Sequence, residues 1–213
     1  MQALVVFCHP CKQSFNAAVR DLVLQKLQSA GAEIRLHDLY ADGFTPVLSW
    51  GEWTGYLAAP DNRRSVEREV ADVQWCDTLI FVYPTWWYGL PALLKGWLDR
   101  VLLPEVAFLM PDETSRTIRP GLHNIKRLGV FTTCGASWWL TQVVGAPGKR
   151  TLTRGVGFLC APRKRTAFAA HYLMDSSTPE TRARHLTSVA RQMDRLIGKH
   201  AVDAQPQNQG ITT

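Results

Sequence analysis

Two stretches of the chain, Leu4 to Phe7 and Leu79 to Tyr83, are continuously apolar, and a third, Leu128 to Phe131, is weaker. Short apolar runs without alternation suit strands buried on both faces, which means a parallel sheet flanked by helices. Helical patterns lie between them. Val19, Leu22, Val23, Leu27 and Ala30 form one apolar stripe, with Ser14 as N-cap and Gly31 as the stop. Pro91 opens a second helix that runs through Leu102, at the position where proline is favoured. The last helix begins with a capping box, Ser177-Thr178-Pro179-Glu180, and buries Leu186, Val189, Ala190, Met193, Leu196 and Ile197. Glu33 to His37 and Arg165 to Leu173 complete five strands that alternate with helices. That order predicts a doubly wound α/β sheet in one domain over residues 1–199, with a polar tail, 200–213, that frays.

Composition narrows the class. A chain of 213 residues, 46% hydrophobic and 20% charged, suffices for one globular α/β domain. No run reaches the roughly eighteen uninterrupted apolar residues of a membrane span, so no membrane insertion is expected. Met1 to Phe7 lacks a basic leader and a cleavage site, and reads as a first strand of a cytoplasmic protein. The five cysteines, at positions 8, 11, 76, 134 and 160, are an odd number without disulfide-framework spacing. A net charge of +6 points to anionic ligands. Yet only Lys149-Arg150 and Arg163-Lys164-Arg165 cluster, and no zinc-finger or RNA-binding signature accompanies them, so no nucleic-acid partner is expected.

In a sheet of this kind ligands bind beyond the carboxyl ends of the strands. Three stretches should converge there. Cys8-His9-Pro10-Cys11-Lys12-Gln13-Ser14-Phe15-Asn16 leads into the first helix. A helix N-terminus preceded by hydroxyl and amide donors suits phosphate, although Ser14 could equally serve as a simple cap. The loop carries no G-x-G-x-x-G and no Walker-type motif. It does carry Cys8-x-x-Cys11, which also reads as a thioredoxin-like dithiol. A zinc site is disfavoured because no second ligand pair stands at the usual spacing.

The second stretch, Pro84-Thr85-Trp86-Trp87-Tyr88-Gly89-Leu90-Pro91, sends three aromatics in a row off a buried strand. Strand alternation cannot bury all three. They read either as core and dimer contact or as a wall for a flat heteroaromatic ring, with Thr85 bonding the ring's polar edge. The third, Thr132-Thr133-Cys134-Gly135-Ala136-Ser137-Trp138-Trp139, has small residues that let backbone N–H groups approach a ligand. Phosphate cradle, aromatic wall and donor-rich turn together suit a flavin nucleotide.

The chain resembles the NAD(P)H:quinone oxidoreductase (DT-diaphorase) family and its bacterial members. The matching elements are His9-Pro10, Ser14-Phe15-Asn16, Asp38-Leu39-Tyr40, Phe44-x-Pro46-Val47-Leu48, Tyr83-Pro84-x-Trp86-Trp87, Gly89-x-Pro91-Ala92-x-Leu94-Lys95-Gly96-Trp97-x-Asp99-Arg100-Val101, Ala107-Phe108 and Thr132-Thr133-x-Gly135. They cover most of residues 1–136 in order and thin beyond. The resemblance implies a flavodoxin-like five-stranded parallel sheet of order 2-1-3-4-5 with helices on both faces. It implies FAD, or FMN as in some bacterial members, with NADPH or NADH as co-substrate and ping-pong hydride transfer to a quinone. His9, Ser14, Phe15 and Asn16 would hold the phosphates and ribityl chain. Pro84, Thr85, Trp86 and Trp87 would line the isoalloxazine, and Thr132, Thr133, Cys134 and Gly135 would flank its polar edge. Tyr88, Trp138 and Trp139 would border the substrate, in a homodimer with the active site at the subunit interface. No metal and no protein nucleophile is required. The animal members' tyrosine and histidine after the Thr-Thr-x-Gly turn have no counterpart in Ser137 to Gly148, which leaves the backbone N–H groups of Thr133 and Gly135 as the donors.

Three other roles stay open at the level of sequence. The family also contains regulatory flavoprotein subunits of membrane transporters. A thiol-disulfide oxidoreductase would use Cys8 and Cys11, although nothing in that chemistry calls for the other two loops. A one-electron flavodoxin is usually acidic, with a hydroxyl- and glycine-rich phosphate loop, unlike this chain.

Overall fold

A computed structural model of the chain describes residues 1–113 and 115–198; the tail expected from residue 200 lies outside the described residues. Five strands form the main sheet: β1 (Gln2–Phe7), β2 (Glu33–Asp38), β3 (Thr78–Thr85), β4 (Arg127–Cys134) and β5 (Arg165–His171). All neighbours are parallel and the order is β2-β1-β3-β4-β5, as the resemblance implied. The main helices are α1 (Phe15–Gln28), α2 (Glu67–Trp75), α3 (Ala92–Val101), α4 (Trp138–Val143) and α5 (Pro179–Ile197), with shorter helical segments between them and a continuous helix over 147–159 whose middle, Thr151–Val156, is a π-helix. Among the described residues no helix is long and apolar enough to cross a membrane.

Alternation along the buried strands divides the core between the two faces. Leu4, Val6, Leu79, Phe81, Leu128 and Val130 pack with Val70 and Val73 of α2 and Leu94, Trp97 and Val101 of α3. Ala3, Val5, Phe7, Ile80, Val82 and Phe131 pack with Val19, Val23 and Leu27 of α1 and Val189, Met193 and Leu196 of α5. The helical stripes read from the sequence are thus the faces that cover the sheet.

Several boundaries differ from expectation. β5 ends at His171 rather than Leu173, because Leu173 takes a left-handed φ of 55° and leaves the sheet. Pro91 is the N-cap of α3 and not its first helical residue, and the helix stops at Val101. The capping box of α5 starts at Thr178 instead of Ser177. The Thr178 hydroxyl accepts from the Thr181 N–H (3.3 Å) and the Thr181 hydroxyl from the Thr178 N–H (2.9 Å). This shift puts Pro179 at the first helical position, where its missing N–H costs nothing. Along α5, Leu186, Ala190 and Ile197 are only partly buried, and His185 takes an inward position. Ala30 lies past the end of α1, while Gly31, at φ +67°, ends that helix as expected. Helix α2 was not anticipated, since its short span has only Val70 and Val73 as buried aliphatics. Nor was α4, which lies in a stretch read as loop.

One glycine of the long matching stretch has a plain packing role. A Cβ on Gly96 would run into the backbone and ring of Pro46, so α3 and the segment after β2 can touch only because position 96 has no side chain. Gly96→Ala should destabilise the fold by about 1–3 kcal/mol, the usual cost of overpacking, read from urea unfolding midpoints. An unchanged midpoint would contradict this reading of the contact.

Candidate functional site

The carboxyl ends of β1, β3 and β4 open onto a cleft of about 600 Å³. The first strand feeds Cys8 and His9 into it. His9 Nδ1 lies 3.0 Å from the Cys11 N–H and 3.2 Å from the Cys11 carbonyl, so the loop's own backbone holds the ring in place. Burial lowers the His9 pKa, and a backbone contact to Cys11 offsets this only in part. Ser14 caps α1 by accepting from the Ala17 N–H (3.1 Å), and the first two helical residues, Phe15 and Asn16, line the cleft. Asn16, 4% exposed, donates through Nδ2 to Thr133 Oγ1 (2.8 Å), tying α1 to β4. Its Oδ1 is buried without a partner, an acceptor left available to a ligand hydroxyl.

The turn after β3 is strained. Trp87 and Tyr88 both have positive φ, 48° and 61°, and the Gly89 N–H donates to the Trp86 carbonyl (2.9 Å). Two consecutive left-handed non-glycine residues are uncommon, and such strain concentrates at functional sites. The turn is braced from outside by the Gly148 N–H, which donates to the Tyr88 carbonyl (3.4 Å). Its effect is to hold the Trp87 indole in the open, 95% exposed, with Trp86 at 43%. After β4, Gly135 presses against Asp175: a Cβ there would meet the carboxylate at 2.8 Å.

The expected residues sort clearly. His9, Phe15, Asn16, Pro84, Thr85, Trp86, Trp87, Tyr88, Thr133, Cys134 and Gly135 all line the cleft. Ser14 does not line it but caps the helix behind it. Thr132 points to the opposite face of the sheet, where its hydroxyl pairs with that of Thr85 at 2.8 Å. Trp138 and Trp139 stand exposed at the start of α4, outside the cleft lining of this single chain. The sequence reading missed Met174 and Asp175, which complete the wall together with Ala136 of the third stretch. The available signal was topological, because the loop after β5 leaves the same sheet edge. Among the described residues, Asp175 is the one charged side chain in the lining apart from His9.

Matching of the chain to protein families returns one described as a flavodoxin-like fold, over residues 1–195. The chain belongs to the flavodoxin-like fold family. Within it, the chain is 32% identical over 126 residues to the ribosyldihydronicotinamide dehydrogenase (quinone) of Pongo abelii, covering 52% of this chain and 54% of that protein. It is 33% identical over 141 residues to an uncharacterized NAD(P)H oxidoreductase of Haemophilus influenzae, covering 64% and 66%. The solved NAD(P)H:quinone oxidoreductase from Methanothermobacter marburgensis superposes with a TM-score of 0.75 at 25% identity, covering 92% of this chain and 98% of that one. The chain spans about half the length of the animal relatives it matches, 54% and 45% for two of them.

For a flavodoxin-like protein the Cys8-x-x-Cys11 pair is not needed, and its geometry opposes dithiol chemistry. Cys8 is buried, and burial pushes its thiol up to about 12, so no thiolate is available near neutral pH. Cys11 is the one exposed cysteine of the five. Iodoacetamide on the native protein should therefore modify Cys11 alone, as read by peptide mass spectrometry. Rapid labelling of Cys8 would revive the dithiol reading.

Beneath Phe15 lie two histidines. The Phe15, His171 and His185 rings meet at centroid distances of 5.6, 5.8 and 5.4 Å. Burial, and secondly His171, lowers the His185 pKa to about 4; burial, and secondly Arg182, lowers that of His171. The unfolded chain protonates His185 near its ordinary 6.5, so between about 4 and 6.5 the unfolded state binds the extra proton. Stability is fully present above 6.5 and should fall, by up to about 3 kcal/mol, as pH drops toward 4. His185→Gln should flatten this slope in urea titrations at pH 4.5 and 7; an equal slope in the variant would show that other groups cause it.

Proposed function

We propose that the protein is an NAD(P)H-dependent flavoenzyme that reduces quinones or similar small electrophiles by two electrons. The observation that carries this reading is the cleft itself. An exposed indole wall, held out by a strained turn, faces a small-residue turn across a space of about 600 Å³, a size suited to a drug-sized or cofactor ring. The names of the relatives from Pongo abelii and Methanothermobacter marburgensis agree with it.

FAD is the proposed cofactor, within a single flavin-binding domain. The donor set fits a flavin nucleotide. His9 and the first turn of α1 would face the phosphates, and Asn16 Oδ1 would accept from a ribityl hydroxyl. Among the described residues no lysine or arginine lines the cleft, so neutral dipoles would hold the phosphates. Trp86 and Trp87 pack the ring, with Pro84 and Thr85 at its edge, and the backbone N–H groups of Thr133 to Gly135 stabilise negative charge there. Bound in this way, the flavin supplies hydride transfer between the nicotinamide and the acceptor. The chain provides binding, orientation and a water-poor wall.

Six tryptophans, Trp50, Trp53, Trp86, Trp87, Trp138 and Trp139, are between 43% and 77% exposed or, for Trp87, 95%. Aromatic surface on this scale supports a homodimer in which a second copy covers the cleft and brings Tyr88, Trp138 and Trp139 to the substrate. We place this dimer in the cytoplasm.

The purified protein should be yellow, release FAD on heating and oxidise NADPH or NADH with menadione in ping-pong fashion. Release of FMN would change the cofactor but not the reaction. Trp87→Ala should weaken flavin binding by about 1–3 kcal/mol, the scale of uncovering a large side chain. A colourless protein that takes up neither flavin would refute the proposal.

A further inference from the structure

Behind the cleft, on the α3 and α4 side of the sheet, lies a second and much smaller cavity of about 20 Å³. Alternation brings Tyr83 and Thr85 of β3, Thr132 and Cys134 of β4, and Phe168 and Ala170 of β5 to this one face, where Tyr83 pairs in register with Thr132 and Thr132 with Ala170. Tyr172, Thr141 and Lys149 close it. The small side chain of Ala170 leaves the space open opposite Thr132.

Tyr83 is fully buried, and its Oη lies beside the Thr132 side chain without completing a hydrogen bond of ordinary geometry. Leaving a buried hydroxyl unpaired is costly, and native proteins seldom do so. A polar cavity above about 10–15 Å³ can hold one water if two or more polar groups reach it, and this one satisfies both conditions. The cavity also has two ends. Thr85 lines both it and the cleft, and the Thr85 hydroxyl lies 2.8 Å from that of Thr132. At the other end Lys149 is exposed to solvent, with Nζ 4.5 Å from the Phe168 ring centroid.

We propose that this cavity holds one ordered water and that, with Lys149, Tyr83, Thr132 and Thr85, it conducts to the cleft the proton that quinone reduction consumes. The inference rests on the function proposed above. NAD(P)H, a quinone and one proton give NAD(P)⁺ and a hydroquinone: the hydride carries both electrons and one hydrogen, and the second hydrogen arrives as a proton on the quinone oxygen. Along the route the Lys149 ammonium releases a proton, each hydroxyl takes one and passes one on, and Thr85 delivers it to the acceptor. Solvent then reprotonates Lys149, so no group in the chain is changed at the end. Burial keeps the Tyr83 phenol protonated, which suits a neutral relay.

The test uses the flavin-loaded enzyme with its two half-reactions followed separately by stopped flow. Tyr83→Phe deletes one oxygen, and Lys149→Arg keeps the charge but removes a proton that can be released. Each should slow reoxidation by a quinone by about threefold or more, with an enlarged solvent deuterium isotope effect. Reduction by NAD(P)H and flavin affinity should stay unchanged. A high-resolution crystal structure should show a water bonded to Tyr83 Oη. A dry cavity, or quinone half-reactions equal to wild type in both variants, would overturn the proposal. A wild-type enzyme that binds flavin but is reoxidised by no quinone would instead sink the functional reading, and the proton route with it.

Discussion

The ladder between β3 and β4 is the interaction on which the site depends. Its eight paired positions run from Thr78 opposite Arg127 to Thr85 opposite Cys134. That register sends Thr133 toward α1, where Asn16 holds it, and Thr132 to the other face, where Thr85 holds it. A slip of one residue would exchange these faces, and each hydroxyl would lose its partner. The apolar residues of the same strands forbid such a slip, because both faces are buried against helices. Core packing thus fixes the placement of polar groups at the strand ends.

Electrostatics in the cleft follow from burial more than from charge. The chain is basic, yet among the described residues its cleft is lined by no lysine or arginine, and by a single carboxylate, Asp175. His9, His171 and His185 are all held toward the neutral state by burial. In the proposed flavin site, oriented amides and the His9 imidazole would replace point charges as the anion-holding groups. The backbone dipoles do not change with pH, whereas His171 and His185, buried behind Phe15, register pH as stability rather than as charge at the cleft.

Strain and packing are coupled at the aromatic turn. Trp87 and Tyr88 adopt left-handed conformations that glycine would accept freely, and the chain holds them there through Gly89 on one side and Gly148 on the other. A Cβ on Gly148 would already sit 3.2 Å from the Gly89 backbone. The close approach permitted by these glycines maintains a conformation the aromatic residues would not choose, and it is this conformation that turns Trp87 outward.

The five strands, the parallel sheet and the helices α1, α3 and α5 were legible in the chain, because burial on both faces writes itself as unbroken apolar runs and one-sided burial as a helical stripe. The three loops were legible too, since topology alone sends the ends of β1, β3 and β4 to one edge. Boundaries set by single residues were not. Leu173 leaving the sheet and Thr178 replacing Ser177 as cap depend on local backbone geometry that several sequences would satisfy. Which face a residue takes was also undetermined: Thr132 and Thr133 look alike in sequence, and only the ladder with β3 assigns one to the cleft and one to the cavity behind it. Met174 and Asp175 entered the wall, and Lys149 reached the same cavity as Tyr83, through contacts between segments far apart in the chain. Periodicity reports how a segment meets the core, whereas these contacts exist only once the elements are docked.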